Sequence, residues 1–248
     1  GCMINSLLDA GLVHDDVNTV VGRGLHRYTE EPKLIGGELI WEAGPKQSLN
    51  KRILCATDAP FQPSGGLKRL SGTLGTAVMK VSAVKPEHQV IQAPVQVFND
   101  QEAVKTAFKA GALNRDVIVV VRFQGPKANG MPELHSLTPI LRLLQGRGHN
   151  VALVTDGRMS GASGSIPAAI HVSPEALDGG MIAKLCDGDV LRVDAIKGVL
   201  DVLDDGVAQR NVATADLSKN EVGVGRELFA IFRQNVGPAE TGASVFGD

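Results

Sequence analysis

Three cysteines in 248 residues, Cys2, Cys55 and Cys186, are too few and too far apart for a disulfide framework. They form neither a C-x-x-C redox pair nor a Cys/His spacing suited to zinc. No apolar run approaches the roughly 18 residues that a membrane-spanning helix needs, and no basic-then-apolar leader opens the chain. Neither charge sign dominates: 25 Lys and Arg stand against 27 Asp and Glu, with no long block of either, which argues against a nucleic-acid surface. Internal repeats, low-complexity tracts, a G-x-x-x-x-G-K-[ST] phosphate loop and a G-x-S-x-G elbow are all missing. Gly22 and Gly24 lack the third glycine and the preceding strand of a dinucleotide fingerprint. What remains is a cytoplasmic globular protein, 43% apolar, able to bury one large core or a core with a small appendage. Its opening, Gly-Cys-Met-Ile-Asn-Ser-Leu-Leu, reads as the middle of a helix, so a fragment of a longer chain is expected.

Two short helical patterns are predicted in residues 3–30, one ending at Gly11 and one starting at Asp15 or Asp16. A Pro/Gly-punctuated connector follows, ordered only around Trp41. From about residue 59 the chain changes to short β-prone runs divided by glycines, including Gly75 to Val84. Val95 to Phe98 is a predicted strand and Asp100 to Ala110 a helix stopped by Gly111. Val117 to Val121 and Val151 to Val154 are wholly apolar strands flanking a helix over Leu134 to Leu144, which predicts a parallel βαβ crossover. Asp189 to Ala195 and Gly198 to Leu203 alternate like a hairpin, and Gly225 to Gln234 reads as a closing helix.

The crossover puts two polar, glycine-rich loops on one sheet edge, the edge where open parallel sheets bind ligands. The first runs from Arg122 to His135 and carries Lys127 and Glu133; the second runs from Asp156 through Arg158 and Ser160. Glycines 157, 161 and 164 would allow positive φ and close approach to a bound group, and Ile166 to His171 could start a helix whose amides attract anions. Structural roles stand beside the functional ones. Ser160 could cap a helix, Glu133 could be a first-turn glutamate favoured by the helix dipole, and Asp156 could pin its turn by an Asx-type bond. His135 and His171 lie near the loops, but lone histidines of this kind are more often packed or surface residues than acids or ligands.

The phrases Gln124-Gly-Pro-Lys-Ala-Asn-Gly-Met-Pro-Glu-Leu and Thr155-Asp-Gly-Arg-Met-Ser-Gly-Ala-Ser-Gly resemble the family of dihydroxy-acid and 6-phosphogluconate dehydratases. Leu7-Leu-Asp-Ala-Gly-Leu, Asp16-Val-Asn-Thr-Val, Arg27-Tyr-Thr-Glu-Glu-Pro-Lys-Leu, Lys80-Val-Ser-Ala-Val and Gly225-Arg-Glu-Leu-Phe extend the likeness over nearly the whole chain. The resemblance implies an α/β fold: a swivelling β/β/α-type domain over residues 58–248, a partly open β-barrel with flanking helices, preceded by a helical connector and remnant of the amino-terminal domain over residues 1–57. It implies a hydro-lyase that removes water from a sugar acid, on the phosphosugar side of the family converting 6-phospho-D-gluconate to 2-keto-3-deoxy-6-phosphogluconate in the Entner-Doudoroff route. Branched-chain dihydroxy-acid dehydration is the alternative substrate, and a non-catalytic sugar-acid binding module is the alternative for the isolated chain.

In that reading Ser160 matches the catalytic serine, acting as an alkoxide base once cations lower its pKa, and Glu133 matches a Mg²⁺ ligand. Arg158 and Lys127 are expected substrate contacts on charge and loop position. The family also implies an iron–sulfur cluster, of the 4Fe–4S kind, whose ligands lie outside this chain and do not match Cys2, Cys55 or Cys186. Expected partners are a small sugar-acid phosphate, an amino-terminal cluster domain and, for the full-length protein, a second copy in a homodimer; nucleic acid and membrane are not expected.

Overall fold

The structure is a computed structural model that describes residues 1–62, 64–160 and 164–246. It divides into two compact units, Gly1–Ser64 and Gly65–Asp248. Among the described residues no helix is long and apolar enough to cross a membrane.

The first unit holds helix α1 (Cys2–Asp9) and four short strands, β1 (Asn18–Thr19), β2 (Gly22–Arg23), β3 (Glu30–Ile35) and β4 (Glu38–Ala43). β1 pairs with β2, and β3 with β4, each antiparallel. The helix expected from Asp15 or Asp16 does not form. Gly22 and Gly24 sit at φ of 121° and 90°, outside helical space, and the Asp15 carboxylate instead accepts the Leu25 amide at 2.8 Å.

The second unit is the expected α/β fold. Its strands are β5 (Leu67–Gly72), β6 (Gly75–Lys80), β7 (Val90–Phe98), β8 (Val117–Val121), β9 (Val151–Thr155), β10 (Ala168–Ser173), β11 (Val190–Asp194) and β12 (Val199–Val202). They close into a barrel in the order β10-β6-β5-β12-β11-β7-β8-β9, so the sheet is not left partly open. The stretch Ile166 to His171, expected to begin a helix, contributes strand β10 instead. It runs parallel to β9 and antiparallel to β6; a helix there would leave both neighbours with unpaired edges. The hairpin of β11 and β12 is antiparallel as its alternation predicts.

Helices α2 (Gln101–Lys109) and α4 (Thr138–Gly146) cover the outside of the parallel strands β7, β8 and β9, while α3 (Pro126–Asn129) and α5 (Ala230–Asn235) are short. Two cores follow from the two-residue period of the strands. Ile118, Val120, Ala152 and Val154 point into the barrel with Leu70, Met79 and Leu200. The alternate residues Val117, Val119, Val121, Val151 and Leu153 face outward under Val104, Leu137, Leu141 and Leu144. Burial on both faces explains why β8 and β9 are apolar at almost every position. The closing helix is shorter than its pattern predicts, because Gly223, Val224 and Gly225 all take positive φ and hold the preceding chain in turns.

Past β12 the chain folds back, and Arg210 makes two hydrogen bonds to the Asp189 carboxylate, at 2.5 and 2.9 Å. Burial pushes the Asp189 carboxyl up, but the Arg210 pair and the Cys186 amide outweigh it, so Asp189 sits below its ordinary range. An acid with a lowered folded-state pKa stabilises the fold above its unfolded pKa, here about 4, and loses that contribution as pH falls through the folded value. Denaturant titrations from pH 6 down to acid should therefore show a loss of stability below about pH 4 that is reduced in Asp189→Asn; identical slopes in the two proteins would rule this out.

Candidate active site

Strands β8 and β9 run in register, residue 117 beside 151 and 121 beside 155, so their carboxyl ends lie at one level and both loops leave the same edge. Beyond the strands the chains meet again in a parallel bridge between Glu133 and Arg158, and the Leu134 amide donates to the Arg158 carbonyl at 3.1 Å. The two loops are thus one structure. The bridge engages Glu133, Leu134 follows at φ −95° and ψ 10° as the cap of a 3-10 turn over His135–Leu137, and α4 begins only at Thr138. Glu133 is therefore not a first-turn glutamate of that helix.

Its carboxylate is instead the meeting point of three donors. Oε1 accepts the Ser160 amide at 2.7 Å and the His135 amide at 3.0 Å. Oε2 accepts from Arg158 Nη1 at 3.1 Å, and Arg158 Nε donates to the Met131 carbonyl at 2.7 Å. A carboxylate has about four acceptor sites, so one remains on Oε2 for a cation. Glu133 fits the role of a single Mg²⁺ ligand, since Mg²⁺ takes one or two carboxylates and fills its octahedron with water and substrate. A complete site is not built here: among the described residues no group of three or more His, Cys, Asp and Glu side chains could hold a metal ion.

Asp156 does more than pin its own turn. The Gly157 amide is held by Thr155 Oγ1 at 2.9 Å, while the fully buried Asp156 carboxylate reaches across to the amides of Phe123, Gln124 and Ala176 at 3.1, 2.9 and 2.9 Å. It ties the loop after β8 to the turn after β10. Burial pushes its carboxyl up against the downward pull of those amides. Glu175 acts similarly, accepting the Lys127 and Ala128 amides at the start of α3 at 2.9 and 3.1 Å; its carboxyl is also raised, chiefly by burial. Two of the loop glycines serve close approach. A Cβ on Gly125 would stand 2.3 Å from Glu175 Oε2, and one on Gly157 would stand 2.7 Å from Gln124 Cβ. Gly157 and Gly164 do not take the positive φ expected of them, and Gly161 lies outside the described residues.

The four residues singled out in the sequence divide three to one. Glu133, Arg158 and Ser160 are brought together. Lys127 is not with them: its ammonium pairs with both oxygens of Asp178, at 2.8 and 2.9 Å, and it does not line the cavity beside Ser160. A cavity of about 380 Å³ opens beside Ser160 and Arg158 on the outer wall of the barrel, lined also by Lys80, Met159, Ile166 and His171. Its volume suits a small metabolite. His171 was set aside on sequence grounds, yet it faces this cavity from a bulge in β10, at φ 57°, with its amide on the Gly157 carbonyl at 2.9 Å. Burial, and then the Arg158 charge, hold its imidazole below the ordinary 6.5, so it is neutral at pH 7.

The chain belongs to the dihydroxy-acid/6-phosphogluconate dehydratase family: the model of that family's C-terminal region matches residues 52–243. Among relatives, a phosphogluconate dehydratase from Pseudomonas aeruginosa is 58% identical over 98% of this chain and 40% of its own length. One from Escherichia coli is 54% identical, over 98% of this chain and 40% of its own. A dihydroxy-acid dehydratase from Sulfurisphaera tokodaii is 39% identical over 81% of this chain and 34% of its own. The chain spans about two fifths of the length of the phosphogluconate dehydratases it matches.

Replacing Asp156 with Asn should destabilise the fold by about 1–3 kcal/mol, because the new amide group must turn a donor toward buried backbone donors. Chemical denaturation would measure it. A variant as stable as the native chain would mean that the carboxylate does not hold the loops.

Proposed function

We propose that this chain is the carboxyl-terminal portion of a hydro-lyase that dehydrates 6-phospho-D-gluconate to 2-keto-3-deoxy-6-phosphogluconate. Residues 58–248 are its barrel domain, which swivels against an amino-terminal cluster domain, and residues 1–57 are the connector. The observation that carries this reading is the Glu133 carboxylate holding the Ser160 amide and the Arg158 guanidinium at the mouth of one cavity. The phosphosugar is favoured because the more similar relatives bear that name, at 58% and 56% identity against 39% for the dihydroxy-acid enzyme. The full-length protein would work in the cytoplasm as a homodimer.

Dehydration needs a proton removed from C2 and a hydroxyl expelled from C3. The C2–H electron pair becomes the C2=C3 bond, the C3–O pair leaves with oxygen, and the enol product tautomerises to the 2-keto acid. Ser160 is the base that takes the C2 proton at Oγ. An alkoxide is a poor ion to leave unassisted, and the cavity supplies the positive charge of Arg158 within the same wall. Arg158 also anchors the loop through Glu133 and Met131, so Ser160 is presented on a fixed backbone. Neutral His171 can donate to or accept from a substrate hydroxyl. Mg²⁺ at Glu133 and an iron–sulfur cluster, its ligands outside this chain, would supply Lewis acidity toward the substrate's oxygens.

The chain joined to a relative's amino-terminal portion, assembled without oxygen, should form keto acid from 6-phosphogluconate faster than from a branched-chain dihydroxy acid. Ser160→Ala should lower kcat by about 10²–10⁴-fold with little change in KM. Turnover that survives Ser160→Ala would remove the serine from the reaction, and faster turnover of the branched-chain acid would move the chain to the other substrate.

A further inference from the structure

Lys80 belongs to a phrase that the family resemblance singles out, Lys80-Val-Ser-Ala-Val, yet no step above uses it. It is the last residue of β6, and the two-residue period places it with Val78 on the outer face, opposite the core residues Ala77 and Met79. The neighbouring strand β10 turns Ala168 and Ile170 to the same side, so these side chains form the floor of the Ser160 cavity. Among the described residues that line it, Lys80 and Arg158 are the cationic ones and none is aspartate or glutamate; Arg158 also pairs with Glu133.

The lysine stem has a defined bed. A Cβ on Gly164 would lie 3.0 Å from Lys80 Cδ, 3.2 Å from Cε and 3.4 Å from Cγ, so the glycine leaves room for the stem to pass. Lys127, expected from the sequence to contact substrate, is neutralised by Asp178 elsewhere. A cavity walled largely by apolar side chains penalises an unpaired anion heavily, and cationic side chains in its lining offset that penalty. The neutral imidazole of His171 adds a polar group to the same wall without a competing charge.

We propose that Lys80 and Arg158 bind the terminal oxyanion group, carboxylate or phosphate, of the acid that occupies this cavity. Lys80 is thus a direct substrate contact and takes the place that charge and loop position had assigned to Lys127. The identity of the acid rests on the dehydratase reading; the anion site itself does not.

Calorimetric titration of the chain with 6-phosphogluconate, gluconate and inorganic phosphate tests this, since the last two each carry only one kind of anion. Lys80→Met should weaken 6-phosphogluconate binding by about tenfold or more, and Lys80→Arg should recover part of the loss. An equal loss for gluconate assigns Lys80 to the carboxylate, and an equal loss for inorganic phosphate assigns it to the phosphate. Binding by Lys80→Met within about twofold of native for all three, or no measurable binding by the native chain, overturns the proposal. Should circular dichroism show that Lys80→Met does not fold, the native chain decides instead. Acetylation of Lys80, mapped by mass spectrometry, must then be slowed by 6-phosphogluconate, and an unchanged rate overturns the assignment. Loss of turnover with Lys80-dependent binding intact would sink the dehydratase reading and leave the anion site standing.

Discussion

One carboxylate, that of Glu133, is the acceptor on which the loops after β8 and β9 converge. The amides of Ser160 and His135 and the guanidinium of Arg158 all donate to it. Each contact alone is modest, and the Arg158 pair is half exposed, where an ion pair contributes little. Their value lies in position. A serine whose own amide is held has fewer backbone conformations open to it, and the entropy lost in fixing it has been spent before any substrate arrives.

That convergence depends on the strands beneath it. In-register parallel pairing of β8 and β9 delivers both chains to one edge, and burial on both faces fixes that register, because a slip by one residue would exchange barrel-facing and helix-facing side chains. Above the strands the work passes to buried carboxylates. Asp156 and Glu175 sit in the interior with backbone amides as their partners, satisfying groups that would otherwise be orphaned in the loop after β8, the turn after β10 and the first turn of α3. Much of the polar phrase from Gln124 to Gly130 is scaffolding of this kind. Gly125 makes room for Glu175, Gly130 ends α3 in the left-handed region, and the Asn129 side chain links Gln124 to Arg226.

The parts of this arrangement that strong periodicity encodes were legible in the sequence. The apolar runs of β8 and β9 and the helical pattern between them predict the crossover, and the crossover predicts that Glu133 and Ser160 meet. The misreadings have physical causes. Ile166 to His171 carries no signal that separates a short apolar strand from a helix start, and only closure of the barrel between β9 and β6 decides it. The pairing of Lys127 with Asp178 carries no sequence signal, because the two are remote in the chain. Lys80 and His171 went unassigned because a residue's place beside a cavity follows from which face of an outer strand it occupies, and that face is set by neighbours in the barrel.

Glu133 physically holds Ser160, and the Ser160 amide proton reports it directly. Nuclear magnetic resonance of the native chain should show that proton protected from exchange with solvent, with the protection lost and the resonance moved in Glu133→Gln while the amides of β8 and β9 stay unchanged. A Ser160 amide that exchanges freely in the native chain and ignores the substitution would contradict the account.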